Sequence, residues 1–415
     1  MTADLEPVED FRARARTWLA GNMPPRVRDV IDRHDDGRRD LERALQRRLW
    51  DGGFAGICFP AAYGGLGLTA EHQRAFTQES LPYDMPFSLN VPTLGILAAT
   101  LADFGTHEQK LRHLPAILRG EELWVQFLSE PSGGSDLAGC LTRADRDGDV
   151  FILNGSKIWS SGAVVSDYAL CLARTNWDVP KHRGLTMFIL RIHQPGVQVE
   201  PIRQVDGSME FCQEFFDDVP IPASDVVGEV DDGWTVASRL LVHERTAVGG
   251  GSPYTSGSTQ GYEDSGDGDD NLVAMVRANG LTADVHARQL VAEAHIHQLV
   301  AGQLVQRVSQ GVSLGTLPPP AGSLLKLFAA TALMRRCEIG LELAGPAAAA
   351  WPAADQAVGR RLGEATLKRQ GLSLGGGSNE IQRNIISERL LGMPREHAAD
   401  REIPSREVRR GSARD

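Results

Sequence analysis

The fold is decided by FLSEPSGGSDLAG at residues 127–139 and by LNGSKIWSSG at residues 153–162. The first stretch predicts a strand that opens into a glycine-rich turn, and the second belongs to a run rich in β-branched and aromatic residues. A turn of this kind exposes backbone N–H groups and hydroxyls, which suit the edge of a polar ring. The two stretches therefore predict a β domain that presents a polar binding edge.

Short segments of similar composition, separated by Gly, Asp and Asn, extend over residues 123–229 and predict a central antiparallel β domain. Apolar residues recur three and four apart over residues 1–122, and this period returns over 230–395, so both flanking regions are expected to be α-helical domains. The order of helices, strands and helices predicts an α+β fold of three domains.

Two segments show neither the helical spacing of apolar residues nor the composition of the strands. Gly, Ser and Asp dominate residues 249–270, and charged residues dominate the tail at residues 396–415. Both segments are expected to be flexible, because neither can bury much apolar surface.

The composition excludes several classes of protein. The 415 residues are 42% hydrophobic and 23% charged, which is typical of a globular chain with a large core. The formal net charge of -11 disfavours nucleic acid as a partner, because phosphate binding needs clustered Lys and Arg. No apolar run reaches the ~20 residues of a membrane helix, and the N-terminus is acidic, so a cytoplasmic protein without a membrane span is expected.

Several familiar motifs are rejected by their context. The five cysteines are scattered, and His295 and His297 point to different faces of a helix, so no metal site is predicted. GVSLG at 311–315 and GLSLG at 371–375 match the nucleophile elbow, but helical patterns precede both where that elbow needs a strand. GGLG at 64–67 lacks the spacing of a dinucleotide-binding fingerprint.

In order and spacing, the remaining segments resemble the FAD-dependent acyl-CoA dehydrogenase family. The resemblance covers residues 8–248 and 371–395, and it includes FPAAYGGLG at 59–67, the two stretches quoted first, and GGGSNEIQR at 375–383. It implies that family's fold, with a C-terminal four-helix bundle, FAD as cofactor, an acyl-CoA as substrate and an electron-transferring flavoprotein as oxidant. The implied reaction is the α,β-dehydrogenation of an acyl-CoA thioester to the 2-enoyl-CoA.

The resemblance also implies contacts with the cofactor. The residues that match positions lining or covering the isoalloxazine ring are Gln126, Leu128, Ser129, Ser135, Trp159 and Ser161, and those that match positions reaching FAD from a neighbouring subunit are Ser378 and Glu380. Ser135 is also implied to lie near the CoA portion of the substrate. Without the family, the simpler interpretation of Trp159 is an ordinary buried aromatic.

A base must remove the α-proton of the thioester. A carboxylate with a pKa raised by desolvation suits this task, together with fixed donors for the developing enolate oxygen. Many family members carry the base at the position of Gly376, which cannot accept a proton but whose backbone N–H is implied to hold the thioester carbonyl. The segment VHER at 242–245 resembles the isovaleryl-type and long-chain-type arrangement, which implies Glu244 as the base and Arg245 as a residue that orients the base or the substrate. The alternative for Glu244 is an ordinary carboxylate on a helix surface.

The match weakens in the last domain. The Arg-x-x-Phe-Gly and Gln-x-x-Gly-Gly segments, which contact FAD across a subunit interface in most homotetrameric members, are not recognisable, and Arg288 is only a candidate substitute. Three interpretations therefore stay open. The chain is a homodimeric or homotetrameric enzyme, or a partner subunit, catalytic or not, of a heterotetrameric dehydrogenase, or an acyl-CoA oxidase or flavin monooxygenase with the same fold.

Overall fold

The computed structural model describes residues 5–26, 36–87, 90–248, 251–257, 269–350 and 357–408. The chain divides into two compact units. The first consists of Met1–Arg203, Met209–Glu263 and Ala398–Asp415, and the second of Gln204–Ser208 and Asp264–His397. The strands and the helices that precede them all belong to the first unit. None of the helices in the described ranges is both long and apolar enough to cross a membrane.

Helices form the N-terminal part of the first unit. They are α1 (Val8–Asn22), α2 (Asp36–Asp51), α3 (Ala70–Ser80), a π-helical segment (Asn90–Ala98) that continues into α4 (Ala99–Phe104), and α5 (His107–Leu118). A capping box begins α5, because the hydroxyl of Thr106 accepts a hydrogen bond from the Gln109 backbone and the Gln109 side chain bonds back to Thr106. The buried rings of Phe11, Phe54 and Phe76 hold α1 and α3 together.

The central sheet has eight strands. They are β1 (Trp124–Phe127), β2 (Arg143–Asp147), β3 (Val150–Ser161), β4 (Tyr168–Arg174), β5 (Leu185–Arg191), β6 (Val197–Pro201), β7 (Phe211–Pro222) and β8 (Val226–Val227). Their order is β6-β7-β3-β2-β4-β5-β8, with β1 paired to β4 outside this path.

The sheet is mostly, but not wholly, antiparallel. Strand β1 runs parallel to β4, with Trp124 opposite Tyr168, and β2 meets β4 in parallel where Arg143 lies opposite Arg174. The expected antiparallel β domain is therefore confirmed as a predominantly antiparallel sheet, to which β4 adds these two parallel pairings. The physical reason is that β1 continues into the glycine-rich turn and not into a tight hairpin, so its neighbour need not run in the opposite direction.

Strand β4 lies between two hydrophobic layers. Leu170 and Leu172 face a cluster shared with the helices, whereas Ala169 and Cys171 face a second cluster inside the β domain that includes Phe216. This follows from the alternation of side chains along a strand, and it explains why β4 is apolar at nearly every position.

Helix α6 (Gly233–Val248) packs against this sheet within the first unit. Its buried face is formed by residues three and four apart, among them Ala237, Leu240, Glu244 and Ala247. The helix starts in close contact with β5, because a Cβ at Gly233 would lie 2.6 Å from the backbone of Thr186. The sequence groups this helix with the C-terminal domain at residues 230–395, whereas its contacts are with the β domain and the N-terminal helices.

The second unit is helical. Its helices are α7 (Asp269–Ala278), α8 (Val285–Ser313), α9 (Gly322–Ala344), α10 (Ala357–Lys368), α11 (Gly371–Leu374) and α12 (Asn379–Ile385), followed by a π-helical turn at Ile386–Leu390. Leu272, Leu290 and Ile339 are part of the core between α7, α8 and α9. Asp284 caps α8 by accepting a hydrogen bond of 2.8 Å from the Ala287 backbone.

The two segments expected to be flexible have different outcomes. Within residues 249–270, positions 249–250 and 258–268 lie outside the described residues, and α7 begins at Asp269. In the tail, the Ser405 backbone donates a hydrogen bond of 2.9 Å to Val179, and Lys181 forms an ion pair of 2.6 Å with Asp400. The tail up to this point is therefore attached to the β domain by backbone and charged contacts, and residues 409–415 lie outside the described residues.

Candidate active site

Glu244 and Gln126 meet at the centre of the site. Gln126 lies on β1, and its side-chain Nε2 donates a hydrogen bond of 2.8 Å to Oε2 of Glu244 on α6. Glu244 is 9% exposed, so its carboxylate is not a helix-surface group. The other polar atom of the amide, Gln126 Oε1, is buried and has no hydrogen-bond partner among the described residues. A buried carboxylate therefore lies beside an acceptor that remains available to a ligand.

The residue before Glu244 attaches α6 to α4. Asp103 Oδ2 lies 2.9 Å from His243 Nε2 and accepts a hydrogen bond of 2.6 Å from Arg239 Nε. Burial raises the pKa of Asp103, but the hydrogen bonds from Arg239 and His243 outweigh burial and hold this pKa below its ordinary value. Arg239 and His243 are one helical turn apart and both contact Asp103. The two contacts fix this part of α6 and so restrict the position of Glu244. Arg245 is exposed on the same helix.

The glycine-rich turn starts three residues after Gln126. Backbone hydrogen bonds between Glu130 and Gly133, of 3.1 and 2.9 Å, close its first turn. Three consecutive Cα–Cα steps span at most about 11 Å, so the first turn residue, Ser129, lies no further than this from Gln126. The Ser129 carbonyl accepts a hydrogen bond of 3.0 Å from the backbone of Ile158, which brings the turn next to β3.

A buried ion pair holds the two ends of this turn together. Lys157, on β3, has no exposed surface, and its Nζ donates to Glu130 Oε1 at 2.9 Å and to the Leu128 carbonyl at 3.0 Å. Glu130 also accepts a hydrogen bond of 2.9 Å from the Thr142 backbone. Burial raises the pKa of Glu130, but the charge of Lys157 and the hydrogen bond from Thr142 outweigh burial. The net pKa is about 2, so the carboxylate is ionised.

Lys157 keeps its own charge in this environment. Burial alone would lower its pKa, but Cys140 and Glu130 outweigh burial and raise the pKa above its ordinary value. Arg174, also without exposed surface, donates to the carbonyls of Cys140 and Ala138 at 3.1 and 2.6 Å. The turn is thus held from the inside by fixed charges.

Trp159 lies on a bulge of β3. The register between β3 and β7 shifts between Ile158 and Ser160, and Trp159 has a φ of 68°, in the left-handed region. The side chain is 55% exposed and contacts only the edge of Phe211 among the ring pairs in the described chain, at 5.9 Å between centroids. An exposed indole held in a strained backbone is unlike an ordinary core tryptophan, and such strain is concentrated at functional sites.

The remaining predicted cofactor residues of the first unit surround this bulge and turn. Leu128 is buried, Ser129 is half-buried, and Ser135 and Ser161 are exposed. Ser135 lies in the turn, and Ser161 ends β3 opposite Phe211. The structure therefore places the turn residues beside β3, and it places Gln126 against Glu244.

Gly376, Ser378 and Glu380 lie together in the second unit. Gly376 has a φ of 65°, and its carbonyl lies 3.3 Å from Gln382 Nε2. The Ser378 hydroxyl caps α12 by accepting from the Ile381 backbone at 3.3 Å. Glu380 is on the first turn of α12 and is exposed. The left-handed φ explains why glycine fits at position 376.

Sequence reasoning missed the buried charges that shape the site. Lys157 and Glu130 both occur in the quoted stretches, yet neither was assigned a role, because a charged residue within a strand normally faces solvent. The local sequence gives no signal for the burial of Lys157, because Asn154, Gly155 and Ser156 precede it in β3. The contact between Asp103 and His243 gave no sequence signal.

The arrangement supplies a dry carboxylate, an amide that fixes it, a polar turn and an exposed aromatic wall. Together these can orient a planar polar ring and accept a proton from carbon beside it. The orphaned Gln126 Oε1 and the exposed Trp159 fit a flavin, because the isoalloxazine edge carries donors and its faces are apolar.

The chain also matches known proteins over most of its length. The chain matches the N-terminal domain of acyl-CoA dehydrogenases at residues 6–121, their middle domain at 126–219 and their C-terminal domain at 271–391. It is 35% identical to the acyl-CoA dehydrogenase IpdE1 of Mycobacterium tuberculosis, over 94% of this chain and 99% of that protein.

Solved structures give the same result. The Tcur3481-Tcur3483 steroid ACAD matches with a TM-score of 0.74 and 27% identity, over 94% of this chain and 99% of that chain. The ChsE4-ChsE5 complex from Mycobacterium tuberculosis matches with a TM-score of 0.67 and 26% identity, over 95% and 100%. The chain therefore belongs to the acyl-CoA dehydrogenase family, FAD-dependent oxidoreductases that act on CH–CH bonds.

Proposed function

We propose that this protein binds FAD and catalyses the α,β-dehydrogenation of an acyl-CoA thioester, with Glu244 as the general base. The observation that carries the proposal is the hydrogen bond between Gln126 and the buried carboxylate of Glu244. A base needs a fixed position and a partly dehydrated environment, and Glu244 has both. Position 376, which carries the base in many relatives, is glycine and cannot serve.

The residues of the chain have distinct roles in this reaction. Gln126 fixes the Glu244 carboxylate through its hydrogen bond to Oε2, and this carboxylate accepts the α-proton of the thioester. Trp159 and the turn residues Ser129 and Ser135 bind and orient the flavin ring. Bound FAD supplies the acceptor for the hydride that leaves the β-carbon. Arg245, which follows the base, orients the substrate or the base.

The family resemblance supports further assignments in the second unit. The backbone N–H of Gly376 holds the thioester carbonyl, and Ser378 and Glu380 contact FAD. We propose an electron-transferring flavoprotein as the physiological oxidant. These roles rest on the matching positions of the motif, and each of them can be tested by mutating the residue concerned.

A heteromeric assembly is the second candidate, and two relatives favour it. The Tcur3481-Tcur3483 and ChsE4-ChsE5 structures each name two polypeptides. The two FAD-binding segments that are not recognisable in this chain would then be supplied by an unlike partner of the same family. The Tcur3481-Tcur3483 protein is a steroid ACAD, which makes a steroid side-chain thioester the first substrate to test.

The visible spectrum of the purified protein separates these possibilities. Stoichiometric flavin that bleaches anaerobically with an acyl-CoA supports a self-sufficient enzyme. A colourless protein that gains flavin only with a second family member supports the heteromer. Absence of flavin and of bleaching in every pairing would refute the proposed function. A panel of straight-chain, branched and steroid side-chain thioesters then gives the substrate class.

A further inference from the structure

Glu214 is a buried acid with no role in the reaction above. It lies on β7 between Cys212 and Phe216, which face the apolar cluster inside the β domain, and none of its surface is exposed. Its Oε2 accepts a hydrogen bond of 3.0 Å from the hydroxyl of Ser160. Its Oε1 is buried and has no hydrogen-bond partner among the described residues.

Placing a carboxyl group here is unfavourable in isolation. A buried polar atom without a partner costs free energy, and the alternating pattern of β7 would accept an apolar side chain at this position. Burial raises the pKa of Glu214 to about 7, while the Ser160 hydrogen bond and the charge of Lys157 oppose this shift. The position of Ser160 indicates what the carboxyl group does.

Ser160 is the residue at which the register of β3 resumes after the bulge. Trp159 precedes it with a φ of 68° and an exposed indole, and a left-handed conformation at a non-glycine residue costs about 1 kcal/mol or more. The hydrogen bond from Ser160 to Glu214 attaches the far side of the bulge to β7. The bulge therefore has a side-chain anchor in addition to its backbone pairing.

We propose that Glu214 is a positioning residue whose carboxyl group, acting through Ser160, holds the β3 bulge and so keeps Trp159 directed outward as the aromatic wall of the flavin site. The identity of the ligand rests on the proposed function. The coupling of Glu214 to Trp159 is a property of this chain alone, so it can be measured with or without a cofactor.

Fluorine NMR of protein labelled with 5-fluorotryptophan measures this coupling directly. Trp159→Phe identifies the Trp159 resonance among those of the seven tryptophans. Ser160→Ala and Glu214→Leu each remove the hydrogen bond, whereas Glu214→Gln keeps a polar partner for Ser160. Thr175→Val is the matched control, because it removes a hydroxyl-to-carboxylate hydrogen bond, from Thr175 to Asp231, elsewhere in the first unit.

Ser160→Ala and Glu214→Leu should shift or broaden the Trp159 resonance, leave the other tryptophan resonances in place, and weaken FAD binding about tenfold. Glu214→Gln and Thr175→Val should leave both measurements near those of the parent protein. An unchanged Trp159 resonance in Ser160→Ala overturns the proposal, and this variant decides the matter if Glu214→Leu does not fold. A shifted resonance in a protein that binds no FAD, either alone or with a second family member, supports the coupling and refutes the proposed function instead.

Discussion

Gln126 and Glu244 lie 118 residues apart in the sequence, yet the amide of Gln126 donates a hydrogen bond of 2.8 Å to the buried carboxylate of Glu244. A strand of the β domain thus positions an acid on helix α6, which is itself attached to α4 through Asp103. The carboxylate is held from two directions, by its own hydrogen bond and by its helix.

Gln126→Met should test the amide. Methionine has a similar length but cannot donate, so the Glu244 carboxylate loses its fixed orientation, and the rate of flavin reduction by substrate should fall roughly 10- to 100-fold. Stopped-flow absorbance at saturating substrate measures this rate.

Gln109→Met is the control for loss of a buried amide. Gln109 Nε2 donates to the carbonyls of Ser224 and Val226 in the same unit, so this variant should lose stability and keep the rate. An equal loss of rate in both variants would show that Gln126 has no specific role in the reaction.

Lys157→Met should be strongly destabilising. The substitution leaves Glu130 buried without its charged partner, and breaking a buried pair in this way costs about 3–5 kcal/mol. Urea unfolding of the first-unit core, followed by circular dichroism, measures the loss. The double variant Lys157→Met, Glu130→Gln should recover part of it, because the uncompensated charge is gone. A loss near zero for the single variant would contradict the assignment of a buried, ionised pair.

The pH dependence of stability should have opposite signs for two buried acids. The pKa of Glu130 is lowered to about 2, so its stabilising contribution is present above its unfolded pKa and is lost as the pH falls toward about 2. The pKa of Glu214 is raised to about 7, chiefly by burial, so its contribution is present below its unfolded pKa and is lost as the pH rises through about 7.

Glu214→Gln should therefore change the stability profile between the unfolded pKa of the carboxyl group and about pH 7. The pKa shift corresponds to a loss of about 3 kcal/mol in the free energy of unfolding between pH 4 and pH 8, which the amide should abolish. Parallel urea titrations of parent and variant across this range measure the difference. Parallel curves for the two proteins would show that the carboxyl group does not titrate in this range.

The fold class could be predicted from the sequence because the spacing of apolar residues is a local property of each segment. Apolar spacing identifies helices and strands, and the stretches at 127–139 and 153–162 identify the turn and the strand that carry Trp159. The family resemblance then singled out Glu244. The structure adds that this residue is buried and that Trp159 is exposed on a bulge.

Other features depend on contacts between distant segments, which a local pattern does not encode. The pairing of Gln126 with Glu244, the parallel alignment of β1 with β4, and the contact of Asp400 with Lys181 all join residues far apart in the chain. The buried Lys157 was missed for a different reason. A lysine is assigned to the surface by its chemistry, and only its partners explain its burial.

Glu244→Gln tests whether Glu244 is the general base. The variant keeps the hydrogen bonding of the side chain but cannot accept the α-proton. With FAD bound, it should therefore retain the flavin spectrum of the parent and lose anaerobic bleaching by an acyl-CoA by several orders of magnitude. Bleaching at the parent rate in a flavin-loaded Glu244→Gln protein would contradict the account and place the base at another residue.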